Sequence, residues 1–136
     1  MWDNNQDLKK YFHKVRLDKK NKRSFFLQNG SYGIRVLKSG FLHSNEIKAL
    51  NVLFKKTFKK FGKIWYNISP NLILTKKPLE TRMGKGKGGI SEYVAVVQAG
   101  HIILEIDGPS ELACLNLLNQ MAIKLHLPVK IIKFNL

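Results

Sequence analysis

Between residues 76 and 92 the chain reads Lys-Lys-Pro-Leu-Glu-Thr-Arg-Met-Gly-Lys-Gly-Lys-Gly-Gly-Ile-Ser-Glu. Lys76, Lys77, Arg82, Lys85 and Lys87 outweigh the acids Glu80 and Glu92, and Gly84, Gly86, Gly88 and Gly89 remove side-chain bulk between the charges. Glycine lets the main chain take positive φ and lets a ligand come close to backbone amides. Lysine adds point charge, and arginine adds a planar fork of donors. The chemistry this suits is anion recognition, phosphate above all. A segment so poor in apolar side chains buries no core of its own, and a solvated flexible linker is the competing reading of such a run.

Residues 84–89 also satisfy the letter of G-x-G-x-x-G. A dinucleotide fingerprint follows a strand and opens a helix, whereas residues 93–97 and 101–106 are rich in β-branched and aromatic types, so the chain leaves this loop as a strand. No glycine-lysine pair is followed by Ser or Thr as a P-loop requires. Nucleotide binding is therefore a minor reading. The four histidines, His13, His43, His101 and His126, are scattered without i, i+4 pairing or sequence-adjacent carboxylates, and the lone Cys114 leaves neither an intrachain disulfide nor a thiol cluster for zinc. Neither a catalytic constellation nor a metal or cofactor site is expected. Cys114 reads as a small core residue.

The chain carries 24 Lys and Arg against 9 Asp and Glu, a formal charge of +15 on 136 residues with a pI near 10.1. Self-repulsion on that scale implies a polyanionic partner: nucleic acid, whose phosphates release counterions when neutralised, or an anionic membrane surface. No apolar run approaches the roughly 18 residues of a spanning helix and no signal-peptide pattern opens the chain, so membrane insertion is not expected. Residues 1–8 are polar with two aspartates, unlike an Arg-rich transit peptide, so synthesis in the compartment of use is expected. A hydrophobic content of 44% on this length supports one core.

The elements that must hold the loop follow from periodicity. Residues 9–23 carry eight Lys or Arg with Tyr11, Phe12, Val15 and Leu17 interspersed. They read as a basic arm, residues 1–24, in which Lys14, Arg16, Lys19, Lys20 and Arg23 contact RNA. Residues 25–136 form one domain, with 76–92 as its loop. Residues 25–42 read as a strand ended by a glycine turn. Ser44 is the expected cap of a first helix whose Ile47, Leu50, Phe54, Phe58 and Phe61 face the core until Gly62. Lys48, Lys55 and Lys59 gather opposite, with Lys56 and Lys60 beside them; a solvated face is the default, but the lack of i, i+4 acids favours phosphate contacts. Residues 63–68 form a second strand, and a Ser69-Pro70-Asn71 turn leads into the loop. Residues 93–97 and 101–106, joined by Gln98-Ala99-Gly100, predict an antiparallel hairpin. A second helix opens at Asp107-Gly108-Pro109 with Leu112, Leu115, Leu118, Ala122 and Leu125 inward, and residues 129–134 return as an edge strand. The predicted class is α+β, a single compact domain with a mainly antiparallel sheet and two helices.

Four stretches carry a family resemblance: Gly62-Lys63-Ile64-Trp65; Lys77-Pro78-Leu79-Glu80-Thr81-Arg82-Met83-Gly84-Lys85-Gly86-Lys87-Gly88; Glu92-Tyr93; and Glu105-Ile106-Asp107-Gly108. In order and spacing, over residues 30–134, the chain resembles bacterial-type large-subunit ribosomal protein sixteen. The resemblance implies an α/β-hammerhead domain without enzymatic activity, cofactor or small-molecule substrate. It would bind large-subunit rRNA near the peptidyl transferase centre, beside neighbouring large-subunit proteins. The loop, with Lys76, Lys77, Arg82, Met83, Gly84, Lys85, Gly86 and Lys87, would reach toward A-site and P-site tRNA. Val94 stands where the family usually has tryptophan, and the arm is poorer in Arg and Gly than the family's. Lysine outnumbers arginine 20 to 4, with abundant Asn, Ile and Phe, as an A+T-rich genome would give. A mitochondrially encoded member is the first expectation, then a plastid or bacterial one. A free RNA-binding regulator using the same loop is the alternative function.

Overall fold

The computed structural model describes residues 26–134. Along them lie β1 (Tyr32–Val36), β2 (Gly40–His43), α1 (Ser44–Phe58), β3 (Lys63–Tyr66), β4 (Leu72–Lys76), β5 (Gly89–Val97), β6 (Ile102–Asp107), α2 (Glu111–Lys124) and β7 (Val129–Lys133). The strands form two antiparallel sheets, β3-β6-β1-β7 and β2-β5-β4. Helix α2 packs on β1 and β7, α1 packs on β2 and β5, and the helices touch each other. One core of Ile34, Val36, Leu42, Leu50, Phe54, Leu104, Ile106, Leu117, Leu118 and Met121 unites both sheets and both helices. The α+β class is as expected, and β7 does lie at a sheet edge.

Strand β6 organises the larger sheet. Ile102, Ile103, Leu104 and Ile106 are completely buried, so successive side chains on both faces leave water, as an interior strand requires. Among them sits Glu105, also completely buried. Its Oε2 accepts hydrogen bonds from the backbone amides of Gln28 (3.0 Å), Asn29 (2.7 Å) and Gly30 (2.9 Å), and its Oε1 accepts from Asn67 Nδ2 at 2.7 Å. Burial alone would push the carboxyl pKa up; the four donors outweigh it and hold the group below the usual carboxylate range. The approach at Gly30 is close enough to require glycine, since a Cβ there would fall 2.9 Å from both Glu105 Cβ and the Ile106 backbone.

Several expectations are corrected. Residues 25–42 hold two strands in different sheets. The chain leaves β1 when Leu37 N–H donates to the Pro128 carbonyl at 2.9 Å. Helix α1 is capped by His43 rather than Ser44, the Glu46 carboxylate accepting from the His43 amide at 2.9 Å. It stops at Phe58, because Lys59 turns to a positive φ of 49°, and Phe61 leaves the apolar face and stands 80% exposed. Strand β3 ends at Tyr66, and β4 is an element that periodicity does not predict. The expected hairpin of residues 93–106 is absent: Gly100, at φ 87°, passes the chain from one sheet to the other, and β5 pairs with β4 and β2 instead. In α2 the buried stripe is Cys114, Leu117, Leu118 and Met121, continued by Leu125, while Leu112 is 70% exposed and Leu115 and Ala122 are half-buried. Both stripes have helical spacing in a helix that carries apolar residues on more than one face.

The hairpin that does form, β4–β5, closes at Lys76 opposite Gly89. At its mouth the strands approach so tightly that a Cβ on Gly88 would meet the Lys76 carbonyl carbon at 2.6 Å and the Lys77 nitrogen at 2.8 Å.

Two outcomes follow for stability. Glu105→Ala strands three amides, one buried and two partly buried, and should lower the unfolding free energy at pH 7 by about 3–5 kcal/mol, with Glu105→Gln losing about 1–3, both read from urea titrations. The folded pKa is depressed, so this stabilisation is complete above the unfolded value of about 4.3 and is lost as pH falls through the folded pKa. The Gln variant should lack that part of the acid-side decline; an identical decline would assign it to other carboxylates. For the hairpin, Gly88→Ala should loosen the mouth by about 1–3 kcal/mol of overpacking. Amide exchange at Thr75, Lys76 and Ile90 should accelerate while β6 stays protected, and unchanged exchange at all three would refute the close approach.

Candidate nucleic-acid interface

Beyond that mouth, every residue from 78 to 87 is exposed, including the apolar Leu79 and Met83. Pro78 denies the strand a donor, and the Thr81 amide turns back to the Pro78 carbonyl at 3.1 Å. Lys77, half-buried, donates from Nζ to the Gly84 carbonyl and ties the base of the loop to its far side. The next three residues all have positive φ: 97° at Gly84, 59° at Lys85 and 82° at Gly86. No atom lies within 4 Å of a Cβ added at Gly84 or Gly86. Their requirement for glycine is thus one of backbone conformation in this chain, and the space around them is open to a ligand. Lys85 holds a conformation that a side chain disfavours by roughly 1–2 kcal/mol, and its ammonium is projected from the apex. The loop therefore gathers Lys76, Lys77, Arg82, Met83, Gly84, Lys85, Gly86 and Lys87 on one support, with Lys77 partly committed to holding the loop's shape.

A second basic surface lies on α1. Lys48, Lys55 and Lys59 are exposed, with Lys56 and Lys60 beside them, and among the described residues none of the first three forms an ion pair. The acids are drawn elsewhere: Glu105 onto backbone amides, Asp107 onto Ser31 Oγ at 3.2 Å, Glu111 onto Lys133 at 2.5 Å. Both basic surfaces are mounted on the three-stranded sheet, α1 by packing against β2 and β5, the loop as the tip of β4–β5. The arm residues Lys14, Arg16, Lys19, Lys20 and Arg23 lie outside the described residues.

Where these elements meet, the fold assembles a group that sequence spacing hides. His43 Nδ1 donates to the Glu92 carboxylate at 2.8 Å, and His126 Nδ1 donates to Glu46 at 2.6 Å. The rings stand 5.5 Å apart. Burial would raise the Glu46 pKa, but the His126 ring and the amides of His43 and His126 hold it low. His43, Glu46 and His126 could each offer a metal one ligand atom, the three lying within 4.8 Å of one another, yet both Nδ1 atoms already serve carboxylates. The arrangement joins the start of α1, the end of α2 and the strand that carries the loop. The expectation that no carboxylate lies near these histidines is therefore corrected: Glu46 is three residues from His43, but Glu92 and His126 arrive only through tertiary structure. Phe61, like Leu112, is assigned to the core by periodicity and stands exposed instead.

The exposed loop and the lysine face of α1 set cations on open surface, a geometry that suits holding a polyanion. Comparison with known proteins agrees. A family model described as ribosomal protein L16p/L10e matches residues 4–132. The large ribosomal subunit protein uL16 of Acholeplasma laidlawii is 37% identical over 121 residues, 89% of this chain and 88% of its own. That of Thermosipho melanesiensis is 36% identical over 121 residues, 89% and 85% of the two chains, and the uL16c protein of Cyanidium caldarium is 42% identical over 99 residues, 73% and 71%. The family match spans the glycine-lysine loop, α1 and both sheets, and on it the chain belongs to the ribosomal protein L16p/L10e family.

Proposed function

We propose that this protein is held in the large ribosomal subunit by phosphate contacts from the α1 lysines and the basic arm, residues 1–24, while loop 76–92 reaches from the domain of residues 25–136 toward tRNA. Its family consists of structural proteins of the large subunit, not enzymes, with rRNA and other ribosomal proteins as partners. The finer reading is that the rRNA lies near the peptidyl transferase centre and that the loop faces the A site and, beyond it, the P site. One observation supports it: a cationic loop, exposed from residue 78 to 87 and with three consecutive positive-φ residues, anchored by a tight hairpin mouth, on a chain of charge +15. The lysine-rich composition and the uL16c relative of Cyanidium caldarium support an organellar ribosome, mitochondrial in the first instance, with plastid and bacterial ribosomes behind. Cofractionation separates this from the free-regulator reading, since a ribosomal component sediments with large subunits in a magnesium-containing gradient and a regulator does not.

Anchoring and tip should separate on mutation. Changing Lys48, Lys55 and Lys59 together to Gln should weaken binding to an rRNA fragment and flatten the log K against log salt plot by up to about 0.9 for each phosphate no longer neutralised. An unchanged slope would return that face to solvent. Arg82→Ala or Gly86→Val subunits should contain normal amounts of the protein, because the anchoring charge is dispersed. Both should accept A-site tRNA more slowly, Arg82→Ala by at least about tenfold, the effect of removing one charge-assisted hydrogen bond of about 1.5–3 kcal/mol, and Gly86→Val through the strain and bulk of a side chain at positive φ. Normal accommodation kinetics in fully occupied mutant subunits would remove the loop from the tRNA path.

A further inference from the structure

Phe61 is the exposed aromatic whose position the helix pattern argues against. Continuing α1 by three residues would have carried it over Phe58 onto the buried face; instead the chain reverses at Lys59, the Phe61 amide returns to the Phe58 carbonyl at 2.8 Å, and the ring stands 80% exposed. Beside it opens a cavity of about 200 Å³, which Phe61, Lys60, Lys63, Asp107 and Pro109 help to line. That is smaller than the roughly 300–1,000 Å³ of a small-molecule pocket. The cations do not act alone. Asp107, whose Oδ1 accepts from Ser31 Oγ at 3.2 Å and from the Gly108 amide at 3.2 Å, puts a carboxylate in the same lining. A carboxylate repels a phosphate but accepts from the amino group on a base edge. The aromatic face suits a flat ring, and Lys60 and Lys63 suit the phosphates on either side of it. The site is continuous with the lysine face of α1, which places Lys59 and Lys60 directly before Phe61.

Resting on the rRNA-binding reading above, we infer that Phe61 is a stacking platform for one unpaired nucleotide of RNA. The base lies on the ring, its edge is turned toward Asp107, and its flanking phosphates meet Lys60 and Lys63. Stacking of this kind tolerates any sequence and differs from the phosphate contacts of α1 in lacking a salt term.

The test uses the full chain and two probes: an unstructured RNA octamer, and an octamer of the same length with an abasic ribose at every position. Phe61→Leu keeps an apolar side chain but removes the ring, and its exposure predicts an unchanged melting curve. Affinity for the RNA octamer should fall about 5- to 150-fold, the range for losing one stacked base. The salt slope should stay as it was, and Phe61→Trp should restore binding. The abasic octamer should not distinguish the variants. With an octamer carrying 5-iodouridine, photocrosslinking should map to the peptide containing Phe61. Equal affinity of wild type and Phe61→Leu for the RNA octamer overturns the inference, as does an equal loss on the abasic probe. Normal octamer binding with poor incorporation into subunits would assign the ring to a neighbouring protein, which also overturns it. If the wild-type chain bound neither probe, the rRNA-binding reading itself would fail, a result distinct from any of these.

Discussion

The rest of this fold depends on one buried carboxylate. Glu105 lies mid-strand in a chain whose excess of positive charge would favour acids at the surface, yet it is sealed from water and answered by four donors. Desolvating an ion costs several kcal/mol, and only a complete set of hydrogen bonds offsets that. The set comes from both flanks of the sheet: the amides of residues 28–30 ahead of β1, and Asn67 just beyond β3. Glu105 thereby fixes the two strands that flank β6 to a common point. A hydrophobic residue in its place would leave three amides without acceptors, so the charge is tied to the path of the backbone around it.

The same logic distributes the other acids. Glu46 and Glu92 each take a histidine, Asp107 takes a serine hydroxyl, and Glu111 takes the edge-strand Lys133. Each joins segments far apart in sequence, so the few acids serve as internal fastenings and leave the exposed face of α1 to its lysines. The outward side of α2, by contrast, carries Leu112, Asn116, Asn119, Gln120 and Ile123, with Lys124 in its last turn as its one exposed cation. The two helices thus present surfaces of different charge density. On the proposed reading only α1 is turned to RNA.

How much of this was legible in the sequence differs by the range of the interaction. The α1 stripe of Ile47, Leu50, Phe54 and Phe58 was readable because helical periodicity is a local property, and the loop was readable because its composition permits no core. Strand partners were not: β5 and β6 look like a hairpin because a short connection joins them, but Gly100 turns the chain into a different sheet, and nothing in residues 93–106 records which edge is vacant elsewhere. Helix α2 defeated the pattern for another reason. Its apolar residues satisfy helical spacing on two faces, and only packing against β1 and β7 selects Cys114 and Leu117 over Leu112. Phe61 escaped the pattern because a positive φ at Lys59, a residue type that gives no such warning, ends the helix one turn early. The histidine group was invisible since Glu46 and His126 are 80 residues apart.

The separation of a rigid mount from an exposed tip follows from where the stabilising contacts stop. Up to Lys76 and Gly89 the hairpin is held by ladder hydrogen bonds, by a backbone approach that admits no Cβ at Gly88, and by the His43–Glu92 contact that ties β5 to the start of α1. Past that point the Lys77–Gly84 bond and one turn at residues 78–81 work against the mutual repulsion of Arg82, Lys85 and Lys87 within a Debye length of about 8–10 Å. One ammonium–carbonyl bond of about 1.5–3 kcal/mol and one neutral turn bond of roughly 0.5–1.5 kcal/mol are small against a backbone entropy of about 1–2 kcal/mol per residue. On the proposed reading the remaining order would come from an external polyanion, which relieves the repulsion and supplies acceptors at once. The loop's conformation and its ligand would then be coupled: a phosphate-bearing surface that bound these cations would also select the arrangement in which Gly84, Lys85 and Gly86 bring the backbone closest to it.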